Sequence, residues 1–198
     1  MGRFEDNLAA LAGRDPELAD RVRCAERGAV SIIRRGRWPN LFDALTRATV
    51  HPDDNPLKES NAVVTKLAPA PLFIVLGTGA GHHLAALQKK YPRTPLVLVE
   101  PRLDILAQAL AVSDLRALLA RPEVTVVAAD EPDAAAAQVV ATQDLDALAG
   151  AGEVALQEAD KLYPGFPRLF RERLRERERL LERLLEALGH EAAAGTAP

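Results

Sequence analysis

The sequence predicts an α/β fold: a Rossmann-like, mostly parallel sheet flanked by helices, with a small N-terminal helical and hairpin region and a long C-terminal helix. Three observations predict it. The apolar run at 72–76 stops at a glycine-rich turn, Gly77-Thr78-Gly79-Ala80-Gly81. Leu84, Leu87 and Tyr91 then follow at helical spacing. A second apolar run at 96–99 ends abruptly in Glu100. Strand, tight turn, helix, strand is the unit that builds a parallel sheet buried on both faces, and it brings the turn and Glu100 to one carboxyl edge.

The elements follow in order. Phe4, Leu8 and Leu11 mark a short amphipathic helix ending at Gly13. Asp15 suits an N-cap with Pro16 behind it, opening a second helix to about Arg27. Residues 29–33 are β-like, Gly36 allows a turn, and 38–44 reads as a second extended piece or a helix start. Arg34, Arg35 and Arg37 cluster at that turn, either as solvated loop charges or as an anion- or partner-binding edge. The polar stretch 51–56 is a linker, and Asn55 caps a helix with Pro56 at its first position. Beyond Glu100, Pro101 is expected to start a helix and Ser113 to cap another. Residues 123–128 form a third strand, 134–148 are helical, and 154–156 form one more short strand. The implied organisation is a small region at 1–54, the Rossmann-like domain at 55–166, a helix at 167–190 and a disordered tail at 191–198.

Composition sets outer bounds. A chain of 198 residues, 48% apolar and 27% charged, has room for one ordinary soluble domain with a small appendage. A net charge of −3 supplies no overall basic field for nucleic acid or an anionic membrane. The lone Cys24 cannot form an internal disulfide and fits a reducing, cytoplasmic setting. No apolar run approaches the roughly 20 residues that span a bilayer, and the N-terminus lacks an apolar signal region.

The chemistry of the glycine unit lies in its backbone. Gly77, Gly79 and Gly81 let a ligand approach the main chain, and the helix opening near His82 presents amides to an anion or polar group. Glu100 ends the second strand where a carboxylate can accept hydrogen bonds from ribose hydroxyls. Asp130, after the third strand, stands at the same edge; it reads as a helix N-cap or dipole partner, or, by resemblance to methyltransferase-like sheets, as an adenine contact. The candidate ligand-binding set is therefore Gly77, Gly79, Gly81, His82, Glu100 and Asp130. The same glycines also serve a bare strand-to-helix turn with nothing bound. His82 occupies the place of the third glycine of the dinucleotide fingerprint, which argues against NAD or FAD. The Gly-x-Gly-x-Gly form resembles the first motif of S-adenosylmethionine-dependent methyltransferases, although Val75 stands where those enzymes usually carry an acid. The four histidines and Cys24 have no zinc-like spacing, so no metal is expected. No nucleophile triad emerges either.

Phe4 to Leu11, Trp38-Pro39-Asn40-Leu41 and the segment Val50 to Glu59 resemble the N-terminal region of the motility accessory factor (Maf) flagellin glycosyltransferases. The same broader family includes MptE-like 6-hydroxymethylpterin diphosphokinases. The turn Gly77 to His83 and Leu98-Val99-Glu100-Pro101 are similar to that family's Gly-x-Gly-x-Gly-Tyr-His and Val-Ile-Glu-Pro, with His82 in place of the Tyr. The resemblance runs from about 4 to 170. It implies a free-standing N-terminal module, or a fragment, lacking the family's central transferase domain. Such a module is expected to bind a nucleotide or nucleotide-sugar, or to serve in assembly. The alternatives are a methyltransferase using S-adenosylmethionine and a non-catalytic scaffold. For the scaffold, the leucine stripe at 168–188 would recruit a protein partner or a second copy.

Overall fold

The computed structural model describes residues 2–35, 37–51 and 55–194. Four parallel strands form the central sheet: β4 (Phe73–Leu76), β5 (Leu96–Val99), β6 (Val124–Val127) and β7 (Gly152–Ala155), ordered β6-β5-β4-β7. The two central strands are buried along their whole length, as expected of an unbroken apolar run with helices on both faces.

Side chains alternate between the two faces. Phe73, Val75, Leu96 and Leu98 meet Leu84 and Leu87 of α4 (His82–Lys90) and Leu106 and Leu110 of α5 (Leu103–Val112). Ile74, Leu76, Val97 and Val99 meet Ala135, Ala136 and Val139 of α7 (Pro132–Thr142), and Phe170 and Leu174 of α10 (Phe166–Ala194). The result is three layers with helices on both sides of one sheet.

The N-terminal segment shares this core. Helices α1 (Arg3–Ala12) and α2 (Pro16–Arg23) bury Leu8, Leu11, Leu18 and Val22 in the cluster that holds Phe73 and Leu98. Asn7 fixes them there. Its amide donates to the Leu110 and Ser113 carbonyls at 2.7 Å each, and its oxygen accepts from the Leu115 amide at 2.8 Å. The residues between α2 and α3 (Pro56–Lys66) form a small antiparallel sheet, β1 (Val30–Arg35), β2 (Trp38–Asp43) and β3 (Ala48–Thr49), so all of 38–44 but Ala44 resolves as strand. Arg102 ties this sheet down with a two-pronged contact to buried Asp43, at 2.8 and 3.1 Å.

Several boundaries differ from the sequence expectation for local reasons. The helix after Glu100 starts at Leu103 rather than Pro101, because the Arg102 amide turns back to the Glu100 carboxylate at 3.0 Å. Ser113 does not cap; its hydroxyl donates to the Ala80 carbonyl. The stretch 134–148 divides into α7 and α8 (Leu145–Ala149), with Gln143 extended between them. The second helix ends at Arg23, short of Arg27. Asn55 does cap α3, accepting from the Lys58 amide at 3.0 Å, whereas linker residues 52–54 lie outside the described residues. Helix α10 runs through Ala194, into the stretch expected to be tail, and the last four residues lie outside the description. Among the described residues, no helix is long and apolar enough to cross a membrane.

Candidate functional site

The turn between β4 and α4 sits at the carboxyl edge of the sheet, as the sequence predicts. All three of its glycines have positive φ, and Gly81 is the left-handed N-cap of α4. What they approach is the chain itself. A Cβ on Gly77 would lie 3.0 Å from the Tyr163 ring, one on Gly79 2.8 Å from the His51 ring, and one on Gly81 2.9 Å from Ser113. Leu156 adds a methyl 3.1–3.2 Å from the Gly77 and Gly79 positions.

The polar groups turn inward in the same way. Expected to face a ligand, Glu100 is instead fully buried. One carboxylate oxygen accepts from the Thr78 amide at 2.7 Å and the Tyr163 hydroxyl at 3.1 Å; the other takes the Arg102 amide. Burial pushes the Glu100 carboxyl above the usual glutamate range, against the opposing pull of the two amides. Burial and the neighbouring Glu100 likewise raise the Tyr163 hydroxyl well above its usual value.

A second inward contact comes from His51, fully buried and read from sequence as part of the linker. Its Nε2 accepts from the Ala80 amide at 3.0 Å, which leaves the proton on Nδ1 to donate to Glu59 at 2.9 Å. Asn40 holds its backbone at both ends, donating to the His51 carbonyl and accepting from the His51 amide. Thus Glu59 of α3 orients His51, and His51 holds the turn.

His82, a candidate ligand contact in the sequence, turns inward. It is 7% exposed, and its Nε2 donates to the Pro39 carbonyl of β2 at 2.8 Å. Burial holds it below the ordinary histidine value. His83 lies beneath the turn, donates to the Gly77 carbonyl at 3.0 Å, and is pushed down to about 3 by burial. The three imidazoles cluster, with ring centres 5.4 Å (His51–His82) and 6.0 Å (His51–His83) apart. Asp130 is exposed two residues before α7; Glu131, not Asp130, stands at the N-cap, and it makes no side-chain cap. Among the described residues, no group of three or more His, Cys, Asp or Glu could hold a metal ion.

The structure therefore brings Gly77, Gly79, Gly81, His82 and Glu100 together and adds His51, Glu59, Thr78 and Tyr163. Sequence reasoning missed His51 and Tyr163. The available signals were weak: a histidine directly after apolar Val50, and one of only two tyrosines in the chain.

The Glycosyltransferase Maf N-terminal domain model matches residues 45–142, which contain His51, Glu59, the turn and Glu100. Through these residues the chain is similar to the Maf N-terminal domain family. The structure of the MAf glycosyltransferase from Magnetospirillum magneticum AMB-1 superposes with a TM-score of 0.60 at 15% identity. That likeness shows a shared fold over 87% of this chain, which spans 35% of the Magnetospirillum chain. No curated protein matches. The Maf resemblance drawn from the sequence is thus upheld, and Tyr163 reaches the turn from beyond the matched residues.

Proposed function

We propose that this Maf-type domain is an assembly module of a flagellin glycosylation system in the cytoplasm, with sugar transfer performed by a separate domain. One observation supports this over nucleotide binding. Each glycine of the turn faces a side chain of the same protein, and Glu100 already serves two amides and a hydroxyl. For Gly77, Gly79 and Glu100 to receive a nucleotide, nucleotide-sugar or S-adenosylmethionine, Tyr163 and His51 would have to leave, and for Gly81 so would Ser113. That exchange would expose buried amides before any ligand contact repaid the loss.

Calorimetric titration tests the reading. The chain is titrated with S-adenosylmethionine, S-adenosylhomocysteine, CMP-sugars and UDP-sugars, and no binding heat is expected. Saturable heat from any of them would overturn the assembly reading. Heat from a nucleotide-sugar would then restore the nucleotide site, and heat from the sulfur ligands would restore the methyltransferase alternative.

A further inference from the structure

The small antiparallel sheet has an open edge whose chemistry can be read from its register. Strand β1 is one of the two outer strands, paired only with β2 within the sheet. The Ala44 amide donates to the Ala29 carbonyl at 2.8 Å, so the backbone of residue 29 faces β2. Alternation then turns the backbone amides and carbonyls of Ser31 and Ile33 toward β2, and those of Val30, Ile32 and Arg34 outward. Leu41, opposite Ile32, agrees with this register: its carbonyl accepts from Val50 and its amide bonds the Asn40 side chain, both away from β1. The outward groups of Val30 are engaged, with its amide on the Arg27 carbonyl and its carbonyl taking the Gln108 amide. Those of Ile32 and Arg34 have no partner among the described residues, and Ile32 is 44% exposed. Two outward residues offer two donors and two acceptors, enough to seat a short added strand.

Charge selects the occupant. From residue 27 to 42 the sequence holds four arginines and no acid, although the whole chain carries −3. Arg34 and Arg37 are exposed at the hairpin tip and have no carboxylate partner among the described residues; the Arg37 guanidinium lies 5.5 Å over the Trp38 ring. A second copy pairing antiparallel through Ile32 would set this tip against the other copy's Glu26-Arg27 end, where the one acid is offset by the adjacent arginine.

We propose that the β1 edge docks an extended acidic segment of a partner protein. The segment adds as a fourth, antiparallel strand against Ile32 and Arg34, with its acidic N-terminal end beside Arg34 and Arg37. This deepens the assembly reading by giving the partner's chemistry. It lies on a different element from the glycine turn, so a nucleotide result at Glu100 leaves the edge test standing on its own.

The test is fluorescence anisotropy of the full chain with a labelled peptide, Glu-Asp-Glu-Val-Thr-Val-Thr, at low and moderate salt. Binding that weakens with salt is expected, along with about tenfold weaker binding in Arg34→Glu/Arg37→Glu. Ile32→Pro removes an outward amide without breaking a β1–β2 bond, so it is expected to abolish binding while circular dichroism is unchanged. A peptide N-methylated on both valines, which leaves the protein untouched, is expected to bind no better than background. Equal binding of a Lys-Lys-Lys-Val-Thr-Val-Thr peptide or of the N-methylated peptide would overturn the proposal. So would self-association of the chain that Ile32→Pro dissolves, since the occupant would then be a second copy.

Discussion

The glycine turn and the β1 edge present the same backbone chemistry with opposite outcomes. At the turn, the amides of Thr78 and Ala80 are met by Glu100 and His51 from within the chain. At the edge, the amides of Ile32 and Arg34 have no such partner among the described residues. The difference shows that a motif's backbone donors do not by themselves mark a binding site. What decides is whether a side chain of the protein has already reached them. The closed turn acts as a structural centre where β2, α3, β4 and the Tyr163 segment meet, and the open edge is left for interaction.

The contrast breaks most severely at Glu100. Glu100→Ala removes the acceptor for three donors in a fully buried place and leaves a cavity. A loss of about 4 kcal/mol is expected from unsatisfied donors and lost packing. Urea denaturation measures it, and a loss below about 1 kcal/mol would mean the carboxylate is not a centre of the fold.

The next effect belongs to Gly79, at φ +53 and facing His51. Gly79→Ala combines left-handed strain with overpacking and is expected to cost about 3 kcal/mol. Gly165 is its control: φ is +77, but nothing lies within 4 Å of an added Cβ. Gly165→Ala should therefore cost only the strain, about 1 kcal/mol. Equal losses would show that His51 does not press on the turn.

These two sites also mark where the sequence was readable. Local spacing located the strand, turn, helix and strand, since each signal lies within a few residues of its consequence. The unbroken apolar runs at β4 and β5 and the Asn55-Pro56 start of α3 were legible for that reason. The orientation of Glu100 was not legible, because it depends on Tyr163, 63 residues away in sequence. His51, 29 residues before Ala80, looked like linker for the same reason. A carboxylate at a strand end reads identically whether it awaits a ribose or accepts from a tyrosine. The arginines at the hairpin tip were legible as a cluster, but the open edge beside them needed the strand register.

A smaller effect comes from the neutral histidines. An unfolded histidine titrates near 6.5, whereas burial holds His83 to about 3 in the fold. Between those values the unfolded chain binds the proton and the folded chain does not. Stability present at pH 7 is therefore lost as pH falls below 6.5 toward 3. From pH 7 to pH 5 the His83 contribution is about 2 kcal/mol, and His82, shifted in the same direction, adds to it. Glu100 acts with the opposite sign: its raised value adds stability as pH falls through the folded value toward 4.5. The difference between the wild-type chain and His83→Gln isolates the histidine. Denaturation midpoints at pH 7, 6 and 5 should converge for the two proteins as pH falls, and parallel profiles would show that His83 is not held neutral.

The smallest effects are expected at the open edge, and their smallness is the informative part. Ile32 is 44% exposed, Arg34 is exposed, and neither side chain forms a hydrogen bond or ion pair with a described residue. Ile32→Thr keeps a β-branched residue in the strand, and Arg34→Ala removes only a solvated charge, so each should change stability by less than about 0.5 kcal/mol. Arg34→Ala would nevertheless weaken capture of an acidic strand, because there the guanidinium acts on a partner and not on its own fold. A denaturation loss near that of Gly79→Ala at either position would place β1 inside the folded core's network. The edge would then be as closed as the turn, and the contrast between them would disappear.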